Sequence, residues 1–169
     1  QLQDYNLRAD EYEDNRHFLL AQFFRDTFNY AMSNLPVIRS LTNITRMEVW
    51  VTNKTGATTQ TRDIVGLMDL GEYSPYNPNI HVTTSSKLPD RGTNDLYANL
   101  ISDPASRNTG TVVSRLLALG LQPVSEFEKT FARKLDSTEY TYNRQLGFIS
   151  LNQQLQPDEV LAVAYQYTY

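Results

Sequence analysis

The 169-residue chain has a mild net charge of −4, with acids and bases mixed along its length, and no cysteine. That balance argues against a nucleic-acid module, which needs a concentrated basic face, and the lack of thiols excludes disulfides and thiolate metal sites. The length suits a single module able to bury a substantial core, and no apolar run is long enough to cross a bilayer as a helix.

The first strong pattern is helical. In NRHFLLAQFFRDTFNYAMSNLP, residues 15–36, Phe18, Leu19, Phe23, Phe28, Ala31, Met32 and Leu35 recur at helical spacing. Asp14 or Asn15 can cap its start. Pro36 ends it, because a residue before proline avoids the helical region. A strand is expected over 44–53, turning through KTGATTQ and returning as RDIVGLMDLG, residues 62–71. Gly56 suits the turn of this hairpin, and the threonines suit exposed strand ends.

The hairpin raises a question about Trp50, the only tryptophan. Met47, Val49 and Val51 share one face of the strand, while Trp50 lies on the other with Arg46 and Glu48. The return strand is apolar on both faces, with Ile64, Met68 and Leu70 on one and Val65 and Leu67 on the other, so it should be covered on both sides. If the turn is centred on Thr58, Trp50 stands across from Gly66 and fills its missing side-chain volume. The N-terminal helix would cover that side. Trp50 is therefore expected to be packing, largely buried, and not a ligand platform.

Residues 72–95 are rich in Pro, Asn, Ser and Gly and form a long irregular connection. Tyr73, Tyr76, Ile80, Val82 and Leu88 are spread through it and are candidate anchors for a partner. The competing reading is that they pin the loop to its own domain. Short helices are expected at 95–102 and 109–119. SEFEKTFARKL fits either period. Ser125 and Glu128 would make a capping box, but its place among strands favours a strand leading into EYTYN. GFISL and VLAVAYQYTY are strands separated by the turn NQQLQPD. The expected fold is α+β: an antiparallel sheet or sandwich with an N-terminal helix and shorter middle helices packed on it.

Four stretches carry a resemblance when taken in order. EYEDNRHFLLAQFFRDTFNYAMSNLP, ITRMEVWVTN, DIVGLMDLGE and FARKL…EYTYNRQLGFISLNQQLQPDEVLAVAYQYTY closely resemble the SprA family. These are very large outer-membrane proteins of type IX secretion and gliding motility in Bacteroidetes. Residues 73–108 add little to the match. The resemblance implies a structural or interaction module of an outer-membrane or cell-surface protein, on the periplasmic or the extracellular side. It implies as partners other parts of the parent barrel, secretion components and exported cargo. The chain lacks the many alternating strands of such a barrel, so it should be a module without the pore. The chain starts at Gln1 and stops at Tyr169 inside an apolar-rich run, and is expected to be a piece of a longer protein.

Catalysis would need a nucleophile–base pair, a metal cluster or paired carboxylates. His17 and His81 stand alone, EYED at 11–14 lacks the loop spacing of calcium cages, and Asp69 and Glu72 flank a strand end where a turn role suits them. The seven glycines form no phosphate-cradling loop. No enzyme activity, metal or cofactor is expected. The rival reading is a carbohydrate-binding sandwich, since Bacteroidetes surface proteins often carry them and the chain has eleven tyrosines. Tyr73, Tyr76, Tyr140, Tyr142, Tyr165, Tyr167 and Tyr169 are the notable ones. Tyr165, Tyr167 and Tyr169 share a face with Leu161 and Val163, however, which favours core packing. Asp136–Thr138 also resembles the Asp-Ser/Thr acceptor for O-glycosylation of exported Bacteroidetes proteins; a plain turn explains it equally well.

Overall fold

A computed structural model describes residue 8, residues 11–52 and residues 61–169. The described residues form two antiparallel sheets and three α-helices, an α+β fold. Seven strands run in chain order: β1 (His17–Leu19), β2 (Asn43–Thr52), β3 (Thr61–Leu67), β4 (Phe127–Lys134), β5 (Tyr140–Asn143), β6 (Phe148–Leu151) and β7 (Leu161–Thr168). The helices are α1 (Gln22–Met32), α2 (Leu96–Ile101) and α3 (Val112–Ala118), with a 3-10 turn at Pro104–Arg107 between the last two. One sheet has the order β1-β6-β5, the other β3-β4-β2-β7.

The main core lies between the sheets. Val49 and Val51 of β2 meet Tyr140 of β5 and Ile149 and Leu151 of β6, with Leu135 completing the layer. Met47, Val49 and Val51 thus share the inward face that their alternation indicated. A second core forms elsewhere. Leu96 of α2 and Val112 and Leu116 of α3 pack with Ile80, Leu121 and Phe127, and Val65 and Leu67 of β3 close it. β4 links the two cores. Its end pairs with β2 at residues 132–134, whereas nearly its whole length, 127–133, pairs with β3.

Three expectations are corrected. The helical spacing around Phe18 and Leu19 does not begin a helix. Residues 17–19 pair instead with β6, Phe18 opposite Ile149, and α1 starts at Gln22 after an extended Ala21. Strand pairing with a buried neighbour here outweighs a local helical period. Neither Asp14 nor Asn15 caps the helix. Its first amide, Gln22 N–H, donates to the Glu72 carboxylate at 3.1 Å.

The hairpin is the second correction. β2 and β3 are not paired, because β4 runs between them. The supposed turn at 54–60 lies outside the described residues, and the return strand ends at Leu67, not at 71. Third, Trp50 is only partly buried. It stands between Lys134 and Ala162 in the ladder, while Gly66 pairs with Glu128. α1 does not cover Trp50 either. Its Phe24 packs edge-on to Tyr165, which shares the opposite, inward face with Met47 and Val163. The ambiguous segment at 125–135 is a strand, and its Ser125/Glu128 capping box is unused.

Candidate interaction surface

The segment after β3 is irregular but tightly organised around buried polar side chains. Asp69, 1 % exposed, accepts from the Tyr76 and Asn77 backbone N–H groups at 2.9 and 3.0 Å. Asn77 in turn donates to the Gly120 carbonyl and to Glu126. Asn94 donates to the carbonyls of Asp69 and Glu72 at 2.7 and 2.9 Å. Short Asn and Asp side chains mimic backbone turns, so a Pro- and Asn-rich stretch can lock without a helix or strand. The segment is also strapped to α1. Ser74 N–H donates to Gln22 Oε1 at 3.0 Å, the Gln22 amide donates back to the Ser74 carbonyl, and the Tyr73 hydroxyl donates to Asp26. Burial at the start of α1 pushes the Glu72 carboxyl above its usual range, against the opposing hydrogen bond from Gln22 N–H. Asp69 nearby adds to the rise.

The five candidate anchors separate within this frame. Ile80 is 6 % exposed and belongs to the second core. Tyr73 is half-buried, held by Asp26 with Lys87 over its ring at 5.1 Å. Leu88 is half-buried, and its carbonyl accepts from the buried Thr93 hydroxyl. Tyr76, 72 % exposed, and Val82, 48 % exposed, remain at the surface. Only these last two present their side chains mainly outward.

Trp50 lies in a polar stripe on the outer face of β2. Lys134 Nζ sits 5.7 Å from the centroid of its ring and 2.9 Å from Glu48, which also meets Arg46 at 2.8 Å. Hydrogen bonds from Lys134, then Arg46, hold the Glu48 carboxyl below its usual range. The charged face thus suits a tryptophan because a cation covers the ring.

The tyrosines do not converge. Tyr140 and Tyr142 lie against each other, as do Tyr165 and Tyr167, while Tyr169 is exposed. Burial raises the Tyr165 hydroxyl well above its ordinary pKa. His17 is exposed on β1 between Glu13 and Ser150, at 2.7 and 2.8 Å, and its hydrogen bond holds the Glu13 carboxyl low. His81 is exposed, its backbone N–H on Asp95. Among the described residues no three His, Asp or Glu side chains are placed to share a metal ion, and no helix is long and apolar enough to cross a membrane.

A pocket of about 210 Å³ opens at one end of the main core, between Val51, Leu135, Leu151 and Leu155. Its charged lining residues are Arg133 and Glu139, which pair at 2.8 Å, and Glu159, whose carboxylate accepts from Gln156 N–H at 2.9 Å. Asp136–Thr138 is an exposed turn beside it, closed by Glu139 N–H on the Asp136 carbonyl. Sequence reasoning missed the polar lock of Asp69, Asn77, Thr93 and Asn94; the density of Asn and Asp in the loop was its only signal. Neither the protein-family models nor the curated proteins contain a match to this chain.

Proposed function

We propose that this chain is a non-catalytic structural and interaction module of a SprA-like outer-membrane protein serving type IX secretion and gliding motility. The four ordered sequence blocks carry this reading. Their positions in the fold support it. The first block contains β1 and α1, the second nearly all of β2, the third most of β3 and the start of the loop, and the fourth the second half of β4 and all of β5 to β7. The resemblance therefore falls on the two-sheet framework, and the unmatched stretch 73–108 on the locked loop, α2 and the 3-10 turn. Buried Asp69, in the third block, is committed to holding backbone, and Asn94 of the adjoining loop does the same. A bracing or docking role asks for such rigidity.

In-cell crosslinking of the full-length parent, with photoreactive groups at Tyr76 and Val82, tests the reading. Capture of the parent's own barrel or of secretion components is expected. Saturable binding to one glycan on an array of bacterial and host sugars, with no such crosslinks, would reverse it in favour of the carbohydrate-binding alternative.

A further inference from the structure

We infer that the outer edge of β7 is a docking site for an extended, uncharged peptide strand of a protein partner, with bulky apolar side chains at every second residue. The ladder fixes which backbone groups face outward. Leu135 N–H donates to the Val49 carbonyl on the β4 side of β2, and Thr52 N–H donates to the Val160 carbonyl on the β7 side. Even-numbered residues of β2 therefore bond β7, and their partners Ala164 and Ala162 point back towards β2. Leu161, Val163 and Tyr165 consequently turn their N–H and C=O groups away from the sheet. Past the bulge at Thr45, Tyr167 does the same. No hydrogen bond from the described residues reaches these groups.

Such a row is a template for another strand, and proteins normally blunt it with charge, proline or shortness. The other sheet-terminating strands here are blunted. β1 and β5 span three and four residues, and β3 carries Arg62 and Asp63. β7 spans eight residues, and the run 160–169 contains no charged residue, histidine or proline. Among the described residues, an unprotected edge of this length is the exception.

The side chains specify the guest. Leu161, Val163, Tyr165 and Tyr167 lie on the face turned to the main core, yet all four stay partly exposed, whereas Val49 on the neighbouring strand is 0 % exposed. A guest strand with bulky apolar residues on that face would extend the core sideways. On the opposite face Ala164, Gln166 and Thr168 are exposed and small or polar, which suits threonine or serine at the intervening positions. Backbone pairing supplies affinity and the alternating side chains select, as in strand addition generally. This inference stands apart from the secretion reading, since it needs only the edge.

The test uses this chain and a labelled, capped nine-residue peptide alternating valine or tyrosine with threonine. Saturable binding in the micromolar range is expected, with the amides of Leu161, Val163, Tyr165 and Tyr167 slowing in hydrogen exchange when peptide is added. Val163→Pro removes an outward donor without breaking a bond to β2. Ala164→Lys adds a charge beside the edge on the exposed face. Each should weaken binding about tenfold or more. A peptide of the same composition with its apolar residues contiguous should not bind. Failure of the alternating peptide to bind, or binding that leaves those amides unprotected, overturns the proposal. So does binding that Ala164→Lys leaves unchanged. Self-association of the chain that Ala164→Lys abolishes would give the edge to a second copy, and it too would overturn a foreign strand as the guest.

Discussion

Gly147 has a φ of +64°, and a Cβ built there would fall 2.1 Å from ring atoms of Phe24. Phe24 is itself 1 % exposed, so its ring has nowhere to retreat. Gly147→Ala combines a left-handed backbone with overpacking and should cost about 2–4 kcal/mol in denaturant unfolding. Gly66 offers the contrast. A Cβ there would meet Ala162 Cβ at an ordinary 3.9 Å, so Gly66→Ala should stabilise the strand by about 0.5–1 kcal/mol. Trp50 falls between these extremes. Partly buried beneath Lys134, it should emit between the buried and the free indole limits, and Trp50→Ala should cost about 1–2 kcal/mol. A loss of about 3–5 kcal/mol would restore a core role. Glu72 supplies a pH test. Burial raises its folded pKa above 4.5, so its ionisation works against folding as pH rises through that higher value. Glu72→Gln keeps an acceptor for Gln22 N–H and removes the charge. It should therefore melt higher than the wild type at neutral pH, and that advantage should vanish below the unfolded pKa. An equal or lower melting temperature at neutral pH would show that the carboxylate's attraction to the helix start outweighs its burial.

Among the elements, period identified β6, β7 and the inward face of β2, because alternation is a property of neighbours in sequence. The β4 segment fits either period, and only its place among strands, leading into EYTYN, favours a strand. Pairing was not legible. β4 joins β2 to β3 from the far side of residues 68–126, and nothing local distinguishes that arrangement from a simple hairpin. The start of α1 failed for a related reason: Phe18 and Leu19 fit a helix, but β6 offers them a ladder. The loop after β3 was recognised as irregular, but its lock was not, since Asp69 and Asn94 meet only in the fold. Asp69→Ala would leave the Tyr76 and Asn77 N–H groups without their acceptor and should cost about 2–4 kcal/mol. Limited proteolysis between 72 and 95 should accelerate in parallel. Excising 76–90 removes Asn77 and Ile80 together, so it should strongly destabilise the chain through its second core. A shortened chain of unchanged stability would return those residues to partner docking.

At the scale of the whole molecule, the two cores raise the question of whether they melt separately. Leu116, 0 % exposed at the centre of the second core, and Ile149, 0 % exposed in the first, share no cluster. Small clusters under helices can open below the global transition. β4 argues against that here. Phe127 at its start is a wall of the second core, while Leu135, just past its end, is a wall of the first. Its strand bonds to β3 and β2 cannot be lost at one end without loosening the other. The β3–β4 arm also returns to the sheet where Gly66 meets Ala162. Leu116→Ala should therefore lower the stability of the entire chain by about 3–5 kcal/mol. Two probes can tell the difference. Helical circular dichroism follows α1 as well as α2 and α3, and Trp50 fluorescence follows β2. In both wild type and variant the two transitions should coincide, as a two-state unit requires. If instead Leu116→Ala lost part of its helical signal first and left the Trp50 transition in place, the helices would be a separate, weaker unit. β4 would then be a hinge between cores and not their common wall.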